Sequence, residues 1–196
     1  MKLRYFVIGL IFALAAPMAK AQVFEMYYQG FETTETVHFS ASSPDAVTYD
    51  SQLHASGDRS LKLLQSTSDV IYIVSDTIDF TQNATLHYIA LEFDHITNTP
   101  PNGTSPVCKI YAKKTVDADW TPLNSQHYNT ANNNGGSMEF ISTAMFCRES
   151  YPDWSSPITN DSWKSERFDL DQFIGSGVPI NERKLLIKYE VRPKSN

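Results

Sequence analysis

Leu86-His87-Tyr88-Ile89-Ala90-Leu91-Glu92-Phe93-Asp94-His95-Ile96 is the stretch that decides the fold. Ile89, Leu91 and Phe93 share one side of it, and Glu92 and Asp94 take the other. Strand side chains alternate between faces, so this spacing predicts a strand with one side in a core and one in water. A helix would need apolar residues at three- and four-residue intervals, and no long segment keeps that spacing. Short runs of the same kind recur at Val23–Tyr28, Ser60–Leu64, Val107–Lys113, Met138–Phe146, Lys164–Asp169 and Lys184–Val191. Val70–Val74 (Val-Ile-Tyr-Ile-Val) has no charged member and reads as a strand buried on both faces.

Between these runs lie turn-forming residues. Asn98–Pro106 holds three prolines and a glycine, and Thr130–Ser137 holds Asn132-Asn133-Asn134-Gly135-Gly136, so both are expected as loops. Asp169–Ile174 is long enough for one short helical turn. Parallel strands would need crossover helices, and the sequence offers none. The pattern therefore predicts an all-β chain folded as an antiparallel β-sandwich of jelly-roll type.

Residues 1–21 carry the parts of a secretory signal. Lys2 and Arg4 precede an apolar run from Tyr5 to Ala16, Pro17 breaks it, and Ala19 and Ala21 place small residues where a signal peptidase reads. The apolar run is shorter than the roughly 20 residues of a spanning helix, so no transmembrane span is expected after signal removal. The product is expected to be exported, to the periplasm, the cell surface or the medium. Residues 22–196 are then expected to form a single β-sandwich domain. Loss of Lys2, Arg4 and Lys20 takes the formal net charge from −6 to −9, which argues against nucleic acid as a partner.

Cys108 and Cys147 both follow the signal, and in an oxidising compartment a disulfide between them is expected; two buried thiols are the alternative. The five histidines do not make a metal set. His87 and His95, eight apart, share a strand face but sit roughly 26 Å apart along it. His38, His54 and His127 fall in separate segments. Gly175-Ser176-Gly177 lacks the flanks of a nucleophile elbow, and no phosphate-binding loop occurs. No catalytic residue is expected, and the chain is read as not an enzyme. Binding is carried instead by aromatic residues beside polar, loop-like neighbours: Trp120, Tyr128, Tyr151 and Trp154. Such rings stack on the C–H faces of sugars or anchor a protein interface.

Four local patterns occur in order. They are Tyr28-Gln29-Gly30-Phe31-Glu32, Ser56-Gly57-Asp58-Arg59-Ser60-Leu61-Lys62-Leu63, Leu91-Glu92-Phe93-Asp94-His95, and Ser162-Trp163-Lys164-Ser165-Glu166-Arg167-Phe168-Asp169-Leu170. Together they resemble the jelly-roll domains of secreted bacterial surface proteins and hydrolases, in the MAM-like and carbohydrate-binding-module-like groups. The resemblance implies that no cofactor is required and that calcium serves as a structural ion near Glu32 and Asp58. Such domains finish with a further strand pair, which is not found after Lys184–Val191. Three explanations stay open: a shortened jelly roll lacking its final strands, a fragment, or a sheet completed by another chain. The expected function is a secreted or cell-surface binding domain recognising a glycan or a protein partner. The alternatives are an N-terminal accessory domain of a larger exported hydrolase, or a structural subunit of an envelope or secretion assembly.

Overall fold

The computed structural model describes residues 29–64, 69–82, 89–97, 106–123, 146, 151, 154 and 157–193. Within them run the strands β1 (Phe39–Ala41), β2 (Val47–Asp50), β3 (Ser60–Leu63), β4 (Ile71–Ser75), β5 (Ile78–Asp79), β6 (Ala90–His95), β7 (Pro106–Lys114), β8 (Thr121–Pro122), β9 (Lys164–Asp169) and β10 (Lys184–Pro193). The helix α1 (Asp171–Ile174) and three-residue 3-10 turns complete the described elements. All strand pairs are antiparallel, as the alternating pattern predicts. No helix among the described residues is long and apolar enough to cross a membrane. The expected signal (1–21), the runs 23–28 and 138–145, and the expected loops at 98–105 and 130–137 lie outside the described residues, as do His87 and His127.

The largest sheet has six strands in the order β1-β4-β10-β7-β8, with β5 also paired to β10. β10 occupies its middle: Lys188 faces Val74 on one side and Tyr111 on the other. Alternation then sorts the sheet into two faces. Ile71, Ile73, Cys108, Ile110, Ala112, Leu185, Ile187 and Val191 turn inward and are buried. Tyr72, Lys109, Tyr111, Lys113, Leu186 and Lys188 take the intervening positions, on the outward face.

The ribbon β6–β9 covers the inward face. Leu91 pairs with Phe168 and Phe93 with Glu166. The Phe93 and Phe168 rings stack with centroids 5.5 Å apart, and Phe93 meets Tyr189 of β10 edge-on at 5.9 Å. Phe80, Phe146, Trp154, Leu170, Phe173 and Ile174 close the same cluster. Each such side chain contributes about 1.5–3 kcal/mol on leaving water. α1 is held by its own acid, because Asp171 Oδ1 accepts from the backbone N–H of Ile89 at 2.9 Å. A small hairpin, β2–β3, forms a separate two-stranded sheet.

Two expectations are corrected. The run Val70–Val74 is not buried on both faces: Ile71 and Ile73 point into the core, whereas Tyr72 is 37% exposed. Tyr72 faces Glu190 across the ladder, on the side away from β6–β9, where an amphipathic ring tolerates water. The expected bridge between Cys108 and Cys147 is also not formed. Cys108 is a free, buried thiol whose sulfur lies 3.6 Å from the Thr97 hydroxyl. Its bridge partner is Phe146, so a phenylalanine, not a second thiol, stands opposite it. Cys147 lies outside the described residues.

Candidate functional site

The outward face of the six-stranded sheet brings together aromatic and basic side chains from distant parts of the sequence. Lys188 and Tyr111 are direct ladder partners, and Tyr72 is the partner of Glu190. Trp120 immediately precedes Thr121, the residue that β8 sets against Ala112. The Lys188 ammonium consequently sits among three rings, 4.1 Å from the centroid of Tyr111, 5.2 Å from Trp120 and 5.6 Å from Tyr72. Lys113 adds a second cation 5.2 Å from the Trp120 ring, and Lys109 lies 5.7 Å from Tyr111. Cations at these separations are attracted to the ring faces, and this holds the rings in fixed positions.

Glu190 sits among these groups. It accepts from the Tyr111 hydroxyl at 3.2 Å and from Lys188 Nζ at 3.0 Å. Burial, and then the Glu190 charge, push the Tyr111 phenol above its usual range, so it stays protonated and donates. Among the described residues of β7 and β10, the outward positions thus hold Lys109, Lys113, Lys188 and Arg192 with the single carboxylate of Glu190. This occurs on a chain whose formal net charge is −6. The face holds flat rings and ammonium donors on a regular ladder, with the Glu190 carboxylate buried among them at 8% exposure.

Of the aromatics expected to bind, Trp120 lies on this face, half-buried. Tyr128 lies outside the described residues. Trp154 is placed in the core instead of on the surface, at 1% exposure. Its indole N–H donates to the Ser162 carbonyl at 2.7 Å, and its ring meets His95 edge-on at 5.1 Å. Its backbone N–H donates to the Tyr151 carbonyl at 3.1 Å. Tyr151 is half-buried, packs on Trp154 at 4.8 Å and donates its hydroxyl to Glu166.

Glu166 opens a second polar group, sealed between β6–β9 and the main sheet. Its carboxylate lies 3.7 Å from His95 Nε2, and His95 Nδ1 lies 3.3 Å from the Tyr189 hydroxyl. Cys108 stands beside Tyr189. Burial pushes the Cys108 thiol up, and burial together with Cys108 pushes the Tyr189 phenol well above its usual range. Both groups are therefore held neutral, which is the reverse of what an activated thiolate requires.

Glu32 and Asp58, the positions for calcium implied by resemblance, do meet. The Asp58 N–H donates to Glu32 Oε2 at 2.7 Å, while the Asp58 carboxylate accepts from the Thr33 hydroxyl at 2.6 Å and from its N–H at 3.3 Å. The Thr33 hydroxyl, and then Glu32, hold Asp58 below the usual carboxylate range. Arg59 donates to the carbonyls of Phe31 and Glu32 at 2.6 and 2.9 Å. Protein donors thus engage Glu32 Oε2 and both Asp58 oxygens, and a guanidinium the two carbonyls, where calcium would take six to eight oxygens. Among the described residues no group of three or more His, Cys, Asp or Glu is placed to hold a metal. Two residues of this turn are left-handed, Phe31 at φ 62 and Gly57 at φ 67.

No family model, curated protein or solved structure matches this chain. Sequence reasoning misses Tyr72, Tyr111 and Lys188, which make the face together with Trp120. The local signal for two of them is alternation. Lys109, Tyr111 and Lys113 take one side of β7, and Lys188 and Glu190 take the same side of β10, with the core residues Ile110, Ala112 and Ile187 between them in sequence.

Proposed function

We propose that this chain is a non-catalytic, exported binding domain that recognises a glycan on the outward face of its six-stranded sheet. The observation that carries the reading is the row Tyr72, Lys188, Tyr111 and Trp120, in which one ammonium group and three rings are held together across neighbouring strands. Rings fixed in this way meet sugar C–H faces at little entropic cost, and the adjacent ammonium groups hydrogen-bond hydroxyls. The chemically reactive side chains Cys108, His95 and Glu166 are instead buried in the core.

Binding to immobilised polysaccharides and to cell-envelope extract tests the proposal. Trp120→Ala is expected to weaken binding roughly tenfold while the protein stays folded. Full affinity in that variant, or no binding of the wild-type chain to any glycan, would sink it. An accessory role beside a hydrolase uses the same face, which would then hold the catalytic unit to its polymer. Strand addition as a subunit would use β1 and β8, the outermost of the described strands of the main sheet, which are only three and two residues long.

A further inference from the structure

We infer that the glycan is uncharged, a neutral oligosaccharide or polysaccharide held by ring faces and hydroxyl contacts. This rests on the glycan-binding reading above and goes beyond it by assigning the charge of the ligand. At the centre of the face the Lys188 ammonium lies 3.0 Å from Glu190, and the two side chains are only 13% and 11% exposed. Both are committed inside the chain. Lys188 sits among the rings of Tyr72, Tyr111 and Trp120, and the second Glu190 oxygen accepts from the Tyr111 hydroxyl at 3.2 Å. The cations around them are engaged as well. Lys113 Nζ donates to the Asp117 carbonyl at 3.4 Å, and neither Lys109 nor Arg192 is without a partner in the chain.

This internal pairing decides which ligand the centre of the face accepts. A close ion pair presents a short dipole outward, not a net charge, and the attraction of one member for an anion is offset by the repulsion of the other. A carboxylate or sulfate arriving there would lose its water and meet Glu190 as well as Lys188. Drawing Lys188 outward to meet it would strand Glu190, which is 8% exposed, without its cation. An uncharged sugar incurs neither penalty. Its C–H face meets Tyr72, which is 37% exposed, and the half-buried Trp120. Its hydroxyls take the remaining protons of Lys113, since an ammonium has three and the Asp117 carbonyl uses one.

The probes are two pairs of polymers, each pair differing in charge on a shared backbone: hydroxyethylcellulose with carboxymethylcellulose, and methyl-esterified with de-esterified polygalacturonate. The expected result is binding to an uncharged member, roughly tenfold weaker binding to its charged counterpart, and a Kd that changes less than about twofold between about 0.05 and 0.5 M salt. Trp120→Ala and Tyr72→Ala should each weaken binding to the uncharged polymer roughly tenfold. Lys113→Met, which removes a donor and leaves the Lys188–Glu190 pair intact, should weaken it only about threefold. Equal or tighter binding to the charged member of either pair, still lost in Trp120→Ala, would overturn the charge assignment and leave the glycan-binding face standing. Steep weakening by salt would overturn the assignment too. No binding to any of the four polymers would remove both readings.

Discussion

Replacing Trp154 by alanine separates a core role from a ligand-contacting one. The side chain is 1% exposed and packs edge-on against His95 and Tyr151. Removing a buried indole costs about 3–5 kcal/mol through lost transfer energy and the cavity left behind. The Ser162 carbonyl also loses the indole N–H it accepts at 2.7 Å, which adds about 1 kcal/mol. A loss of about 4–6 kcal/mol is a large share of the roughly 5–15 kcal/mol that holds a domain folded. Urea denaturation followed by tryptophan fluorescence and circular dichroism reads it directly. At a slope of about 2 kcal/mol per molar, the midpoint should fall by about 2–3 M, and the melting temperature by roughly 10–20 °C. Glycan binding per folded molecule should be unchanged. An unchanged midpoint with binding abolished would refute the reasoning and return Trp154 to the surface.

Other outcomes follow from particular groups. A Cβ at Gly57 would collide with the Glu32 carboxylate, and its φ of 67 disfavours any side chain, so Gly57→Ala should cost about 1–2 kcal/mol in a urea melt; no loss would show that the turn is not built as described. Cys108 and Tyr189 are both pushed up by burial, so the folded chain keeps protons that the unfolded chain releases. Stability contributed by these groups is therefore complete at neutral pH and declines as pH rises past the ordinary thiol value of 9.0. Cys108→Ala should flatten that alkaline decline, and an equally steep one would exclude the thiol as a cause. In a Cys147→Ala chain, a thiol reagent should modify Cys108 only after denaturant is added; rapid reaction in the folded state would contradict its burial.

The β pattern is legible wherever polar and apolar residues alternate. Residues 90–95 and 164–169 form β6 and β9, and Asp171–Ile174 forms the expected helical turn. Val70–Val74 misleads because Tyr72 looks as apolar as its neighbours, and only the sheet's packing reveals which side stays wet. The binding face is hidden for a different reason. Lys109, Tyr111 and Lys188 alternate visibly within their own strands, but nothing local says that β10 lies between β4 and β7. Trp154 misleads through its polar sequence neighbours, which suggest exposure, while its partners Ser162 and His95 are distant in sequence and hold it in the core. Glu32 and Asp58 meet as the motifs suggest, yet Arg59 follows Asp58 and supplies the positive charge that the turn uses.

The position of β10 also sets the order of events during folding. It is the last of the described strands to be synthesised, and it pairs with β4, β5 and β7. Until Lys184–Pro193 has emerged, the two halves of the main sheet have no common seam, and their apolar rows have nothing to close on. Assembly must wait for that late segment, so a nascent chain cut before Lys184 would lose the middle of its sheet and not a dispensable margin.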